Sequence, residues 1–285
     1  YKNMINFNKN HNDLKKYEET GFFFPIDVVS HQEINQIRKD FELAEYELRN
    51  DPKRLSLLRS YPAQLLPSFD TLIRNDNLIA AASSVLGPNL MVWSSGMFIK
   101  EAKSSKIVSW HQDLTYWGLN NAEETTCWVA LSSANKESGC MKFIPGSHKE
   151  QIVPHFDTFD DNNLLSRGQE ISVKVNEKEA TYIELKPGQA SMHHGHLFHA
   201  SGPNNTSDRR IGCAIRYIKP SMKQLSGDLS LVTLVSGVDD YGHFTKSEKP
   251  NRRLNEEDFE RCYLDSKIKR RVLYEGVDAS RGKRY

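Results

Sequence analysis

With 285 residues and 38 Lys and Arg against 37 Asp and Glu, the chain carries a formal charge of only +1. Such balance speaks against a nucleic-acid footprint or a polybasic membrane-binding face. No run of about 18 apolar residues is present to span a membrane, and Tyr1–Met4 lacks the apolar stretch of a secretory signal.

A content of 38% hydrophobic and 26% charged residues suits a globular chain with a sizeable core. Cys127, Cys140, Cys213 and Cys262 make neither a CxxC pair nor a small disulfide framework. They read as buried, reduced thiols of a cytoplasmic protein. No repeat or Pro/Gly/Ser-rich linker divides the chain, so a single domain over 1–285 is expected.

The first 88 residues read as mainly helical. Ser30-His31-Gln32-Glu33 has the pattern of a capping box. Ile34, Ile37, Phe41, Ala44 and Leu48 follow at helical spacing. A second helix is expected from about Ser68 to Leu86, stopped by Gly87-Pro88. From Leu90 the texture changes to short strands. The candidates are Leu90–Lys100, Ser109–Asp113, Thr125–Ser132, Cys140–Ile144, Glu170–Val175, Ala180–Leu185, Ala190–Ala200 and Arg210–Tyr217. Strands at this density without helices between them predict an antiparallel sandwich or barrel. Helical character returns over about Asn255–Tyr274.

Chemistry concentrates around His111-Gln112-Asp113. On a strand, positions i and i+2 share a face, so imidazole and carboxylate would point together. With a distant histidine they would form a 2-His-1-carboxylate facial triad for Fe(II). An isolated HxD is a weak signal; its weight comes from Met192–His199, followed by Ala200-Ser201-Gly202-Pro203-Asn204 and then Arg209-Arg210. A guanidinium one strand beyond the ligand suits the far carboxylate of a dicarboxylate cosubstrate. Gly212 and Ala214 share the face of Arg210, leaving room there. His193, His194, His196 and His199 compete for the distal role. Spacing to Arg210 and the Ser-Gly-Pro-Asn turn favour His199, leaving the others structural or orienting. His148 falls in a Pro-Gly-Ser-His turn, and His11, His31, His155 and His243 take ordinary surface or packing readings.

Trp110–Trp117 (WHQDLTYW), Ile144–Lys149 (IPGSHK), and HASGPN from His199 followed by Asp208-Arg209-Arg210 resemble the phytanoyl-CoA dioxygenase family. These are non-haem Fe(II), 2-oxoglutarate-dependent oxygenases that include the ectoine hydroxylases. The resemblance runs from Gly21-Phe22-Phe23 to about Tyr217. It implies a mainly β fold, a double-stranded β-helix (jelly roll) over about 89–220, flanked by α-helices, with the metal inside. It further implies that His111, Asp113 and His199 bind Fe(II), that Arg210 binds the C5 carboxylate of 2-oxoglutarate, and that Ser201 assists it. Trp128 corresponds to a tryptophan lining the cosubstrate pocket. Lys100 stands where some members place a cosubstrate-contacting lysine. Trp117 matches a substrate-side aromatic, and Tyr116 beside it is a further substrate candidate. Related halogenases have a small residue in place of the carboxylate; Asp113 is present, so O2 is expected to drive hydroxylation or another two-electron oxidation.

A mouth formed by Lys100, Lys103, Lys106, Tyr116, Trp117, Arg167, Arg216 and Lys219 suggests a small anionic or zwitterionic substrate, such as an organophosphonate or an amino-acid derivative. For Lys103 and Lys106 a solvated face is the plainer reading. Arg216 lies about 20 Å beyond Arg210 along an extended strand and is read as structural. Gln151–Gly168 is a candidate lid. Two other readings stay open: a cupin-like isomerase or hydrolase using Zn or Mn, and a binding protein on an inactive oxygenase scaffold. Arg210 with Ser201 speaks against the first, and the intact triad against the second.

Overall fold

Ser30 begins the first long helix as its spacing predicts. Its hydroxyl accepts from the Glu33 amide at 3.2 Å, and the Glu33 carboxylate accepts from the Ser30 amide at 2.9 Å. The computed structural model describes residues 11–274, with side chains from Asp13 onward; Tyr1–Met4 and 275–285 of the expected single domain lie outside the described residues. Its helices are α1 (His11–Thr20), α2 (His31–Glu47), α3 (Pro52–Ser60), α4 (Pro62–Leu65), α5 (Pro67–Ile73), α6 (Asp76–Leu86) and α7 (Glu256–Leu273). The single helix expected from Ser68 to Leu86 is two. The Asn75 side chain accepts from the amides of Asn77 and Leu78, so it caps a new start instead of continuing α5. Sequence periodicity did not reveal α3 and α4, each opened by a proline at its first turn.

The strands are β1 (Phe22–Asp27), β2 (Leu90–Lys100), β3 (Val108–His111), β4 (Glu124–Ala130), β5 (Met141–Phe143), β6 (His155–Asp157), β7 (Gln169–Ile171), β8 (Thr181–Ile183), β9 (Gln189–His193), β10 (His199–Ser201), β11 (Arg210–Ile218), β12 (Leu231–Ser236) and β13 (Thr245–Lys246). A seven-stranded sheet runs β1-β9-β4-β11-β2-β12-β13 and a four-stranded sheet β3-β10-β5-β8. Together they form the expected double-stranded β-helix. Alternation along β11 decides what each layer does. Ile211, Cys213, Ile215 and Tyr217 pack with Ile34, Phe41, Leu58 and Phe69 of the helical layer. Arg210, Ala214 and Arg216 face the other way, into a cavity also walled by His111 of β3 and His199 of β10.

Three local expectations need correction. The strand expected over Ala190–Ala200 is two, β9 in the large sheet and β10 in the small one. Its intervening turn is held by Leu197 N donating to His194 O and His196 N donating to His194 Nδ1. The HxD strand stops at His111, and Asp113 opens a short 3-10 turn. Gln151–Gly168 is no free loop: β6 within it pairs with β7. Within it Arg167 pairs with Asp157 at 2.5 Å, and Arg167 anchors the segment to the Leu273 carbonyl at the end of α7 at 2.6 Å. All four cysteines are buried and unpaired. Among the described residues no helix is long and apolar enough to cross a membrane.

Candidate metal centre

The antiparallel pairing of β3 with β10 sets His111 directly opposite His199. Their rings lie 4.0 Å apart, centroid to centroid. Nδ1 of His111 donates to the Ser109 carbonyl and Nδ1 of His199 to the Leu197 carbonyl, both at 2.9 Å. Those bonds select the tautomer that leaves each Nε2 as a free donor atom. From the 3-10 turn, Asp113 Oδ1 reaches to 3.4 Å from His111 Nε2 and 3.8 Å from His199 Nε2. Burial opposes ionisation of Asp113, but His111, His199 and Arg216 outweigh it and hold the carboxyl well below its usual range. Burial pushes His199 well below the ordinary histidine value. One ligand atom from each of the three residues lies within 4.8 Å of the others. Two imidazole nitrogens and an ionised carboxylate on one side of a cavity are the donor set that non-haem Fe(II) takes.

At one end of the cavity, Arg210 is 2% exposed, and Lys100 is its register partner on β2. Lys100 Nζ donates to Ser201 Oγ at 2.6 Å and to the Gly202 carbonyl. The Arg210 guanidinium lies 5.2 Å from the Trp128 ring centroid, and its Nε has no hydrogen-bond partner. Burial brings Arg210 down to about 10, and burial together with Arg210 brings Lys100 down to about 6. Among the described residues no acidic side chain pairs with either. A buried guanidinium without an anion is costly unless a ligand supplies one, and Arg210 together with burial presses Lys100 toward its neutral form. The expected room at Gly212 is taken: a Cβ there would fall 1.8 Å from the Trp128 indole. The small residue therefore admits the tryptophan, not the ligand.

The sequence model of the phytanoyl-CoA dioxygenase family matches residues 17–212. The chain belongs to this family. The probable alpha-ketoglutarate-dependent hypophosphite dioxygenase of Stutzerimonas stutzeri is 25% identical over 215 residues, 71% of this chain and 74% of that one. The peroxisomal phytanoyl-CoA dioxygenase of Bos taurus is 25% identical over 226 residues, 70% and 66% of the two chains. A solved structure of the non-heme monooxygenase ThoJ in its apo form superimposes with a TM-score of 0.84 and 29% identity, covering 92% of this chain and 98% of that one. As a phytanoyl-CoA dioxygenase family member with an intact His-Asp-His cluster, the protein is a 2-oxoglutarate-dependent dioxygenase; its cofactors are Fe(II), 2-oxoglutarate and O2.

Several side chains of this dioxygenase stand apart from their expected places. Trp117 and Tyr116 do not line the cavity. Trp117 is buried against Trp93, ring centroids 5.1 Å apart, and faces Arg216. Tyr116 packs edge-on against His155, with Arg167 over its ring. Lys103, Lys106 and Lys219 bond to Asn205, Asp161 and Glu123, so these charges serve the surface. Arg216 lines the cavity, contrary to its structural reading. Gln112, the middle residue of HxD, was overlooked altogether. It is fully buried; its Nε2 donates to the carbonyls of His196 and Gln151, and its Oε1 accepts from Val153 N. It thereby clamps Asp113 to the β9–β10 turn. A glutamine on the face opposite two ligands carries no signal in a single sequence. His193 lies in the cavity wall 4.9 Å from His199, ring to ring, both of its nitrogens unpartnered. Backbone carbonyls therefore orient His111 and His199, not the neighbouring histidines.

Proposed function

We propose that the protein hydroxylates a small anionic or zwitterionic metabolite, an organophosphonate or an amino-acid derivative, with His111, Asp113 and His199 holding Fe(II). Arg210, Lys100 and Ser201 grip the far carboxylate of 2-oxoglutarate, and Trp128 walls its pocket. The observation that carries this reading is Arg210, buried without an acidic partner in the wall of the cavity that also holds the triad, with Lys100 beside it on β2. A zinc hydrolase or cupin-like isomerase would need such an anion end only for an anionic substrate, whereas a 2-oxoglutarate oxygenase needs it for its cosubstrate. Iron with 2-oxoglutarate bound supplies the dioxygen activation that oxidises an unreactive bond.

The chain's own residues do the rest. The Ser109 and Leu197 carbonyls aim the two imidazoles, and Gln112 fixes the turn that presents Asp113. Phe98, Val108, Met141 and Ala214 make the remaining wall apolar and restrict water. Trp117 backs Arg216 of the cavity wall. The cavity that holds the triad must also hold the cosubstrate, which favours a small metabolite over a long acyl chain. Likeness to a dioxygenase named for hypophosphite, a small phosphorus oxyanion, supports that choice.

Anaerobic addition of Fe(II) and then 2-oxoglutarate should produce a visible charge-transfer band, which His199→Ala abolishes. Persistence of the band in that variant would remove His199 from the metal. Succinate release across phosphonates, betaines and amino acids then identifies the substrate; release with acyl-CoA thioesters alone would overturn the class.

A further inference from the structure

The cavity carries a second guanidinium, and it sits on the metal's side. Arg216 shares with Arg210 the strand β11 and its cavity-facing side, six residues on, about 20 Å along the backbone. The two cations act on different neighbours. Arg210 bears on Lys100, whereas the charge of Arg216 is felt at Asp113, His193 and Glu124. Of the candidate metal ligands, Asp113 thus lies within the field of Arg216.

The guanidinium of Arg216 is held but not neutralised. Its Nη1 donates to Ser94 Oγ at 3.2 Å, and its carbon lies 5.0 Å from the Trp117 ring centroid and 5.8 Å from that of Phe98. Its Nε is buried without a hydrogen-bond partner. No carboxylate among the described residues forms an ion pair with it. Burial pushes the carboxyl of nearby Glu124 well above its usual range, and it forms no ion pair with Arg216. Asp113 is committed to the metal. Two aromatic faces and a serine therefore aim an unpaired, fork-shaped donor into a cavity whose other anion site serves the cosubstrate. The residues that match the family model stop at 212, short of this position.

We infer that Arg216 binds the oxyanion of the primary substrate, a carboxylate or a phosphonate, with Trp117 and Phe98 as positioning residues that hold its guanidinium. Two arginines of one strand then secure two different anions on either side of the metal. This inference rests on the cosubstrate assignment made above.

The test uses the full chain, loaded anaerobically with Fe(II) and saturated with 2-oxoglutarate. Methylphosphonate, acetate and the uncharged dimethyl ester of methylphosphonate are titrated separately by calorimetry. The unaltered protein should bind at least one anion and not the ester. Arg216→Gln should weaken that binding about thirtyfold or more, as removal of one member of a buried charge pair does. Arg216→Lys should recover part of it. The charge-transfer band, retained in both variants, reports a folded site. The preferred anion distinguishes a phosphonate from a carboxylate substrate. Equal anion binding by Arg216→Gln, or binding of neither anion by the unaltered protein, would overturn the inference alone. Loss of 2-oxoglutarate affinity in Arg216→Lys would overturn it too, by assigning the arginine to the cosubstrate. Absence of the band in the unaltered protein would overturn the cosubstrate assignment itself, and this inference with it.

Discussion

Arg210 and Arg216 stand on one strand with the same side-chain parity, yet their surroundings differ. Arg210 is sealed against Trp128 beside Lys100, with no anion among the described residues in reach. Arg216 is half-buried, braced by Ser94, Phe98 and Trp117, and close enough to the triad to stabilise the charged form of Asp113. A sealed guanidinium beside a lysine able to take up a proton suits one constant ligand whose far carboxylate enters whole. A braced cation with a free edge suits a ligand whose other parts differ. The difference teaches that residue type and parity place a charge in the cavity, while packing decides which molecule it serves.

The largest expected effect breaks one end and spares the other. Arg210→Met should lower 2-oxoglutarate affinity about a hundredfold, read from the charge-transfer titration, and leave methylphosphonate binding close to unchanged. The same variant should melt higher than the unaltered protein when unloaded, because an unpaired buried charge has been replaced by an apolar side chain. Equal losses for both anions would mean that the two ends form one site.

Gly212→Ala sharpens the contrast at lower cost. Its new methyl meets the Trp128 ring, so a loss of about 1–3 kcal/mol in chemical denaturation is expected, along with weaker cosubstrate binding. Gly202→Ala, whose Cβ meets nothing within 4 Å, is the control and should change neither.

The smallest effect is a proton. Lys100 in the folded protein lies near 6, against 10.5 for the free side chain, so between those values the unfolded chain binds more protons. Stability of the unloaded protein should therefore rise with pH from about 6 to about 10. A dianion beside Lys100 favours its charged form, so 2-oxoglutarate binding at pH 8 should take up a proton. Calorimetry in two buffers of different ionisation enthalpy measures this uptake, and Lys100→Met should abolish it. No uptake in the unaltered protein would place the cosubstrate carboxylate elsewhere.

Much of this was legible in the chain. The strand expected at Leu90–Lys100 has those bounds, Arg210–Tyr217 gains only Ile218, and the Ser30 capping box is formed as spelled. His111, Asp113 and His199 converge, although the strand argument for the first two was wrong in detail: Asp113 arrives from a turn after the strand ends. The single Ala190–Ala200 strand failed for the reason that pattern reading fails generally. A run of apolar and histidine residues does not say in which sheet each half pairs, and here β9 joins β4 while β10 joins β3.

From sequence alone came the chemistry available: which side chains can hold a metal, which can grip an anion, and the local starts and stops set by caps, prolines and glycines. These depend on neighbours a few residues away, within reach of a single stretch of chain. Tertiary structure alone decided that Gly212 yields its space to Trp128, that Gln112 locks the metal turn, and that Arg216 turns into the cavity. Those outcomes depend on contacts between strands far apart in the chain, whose register is settled only when the two sheets close on one another.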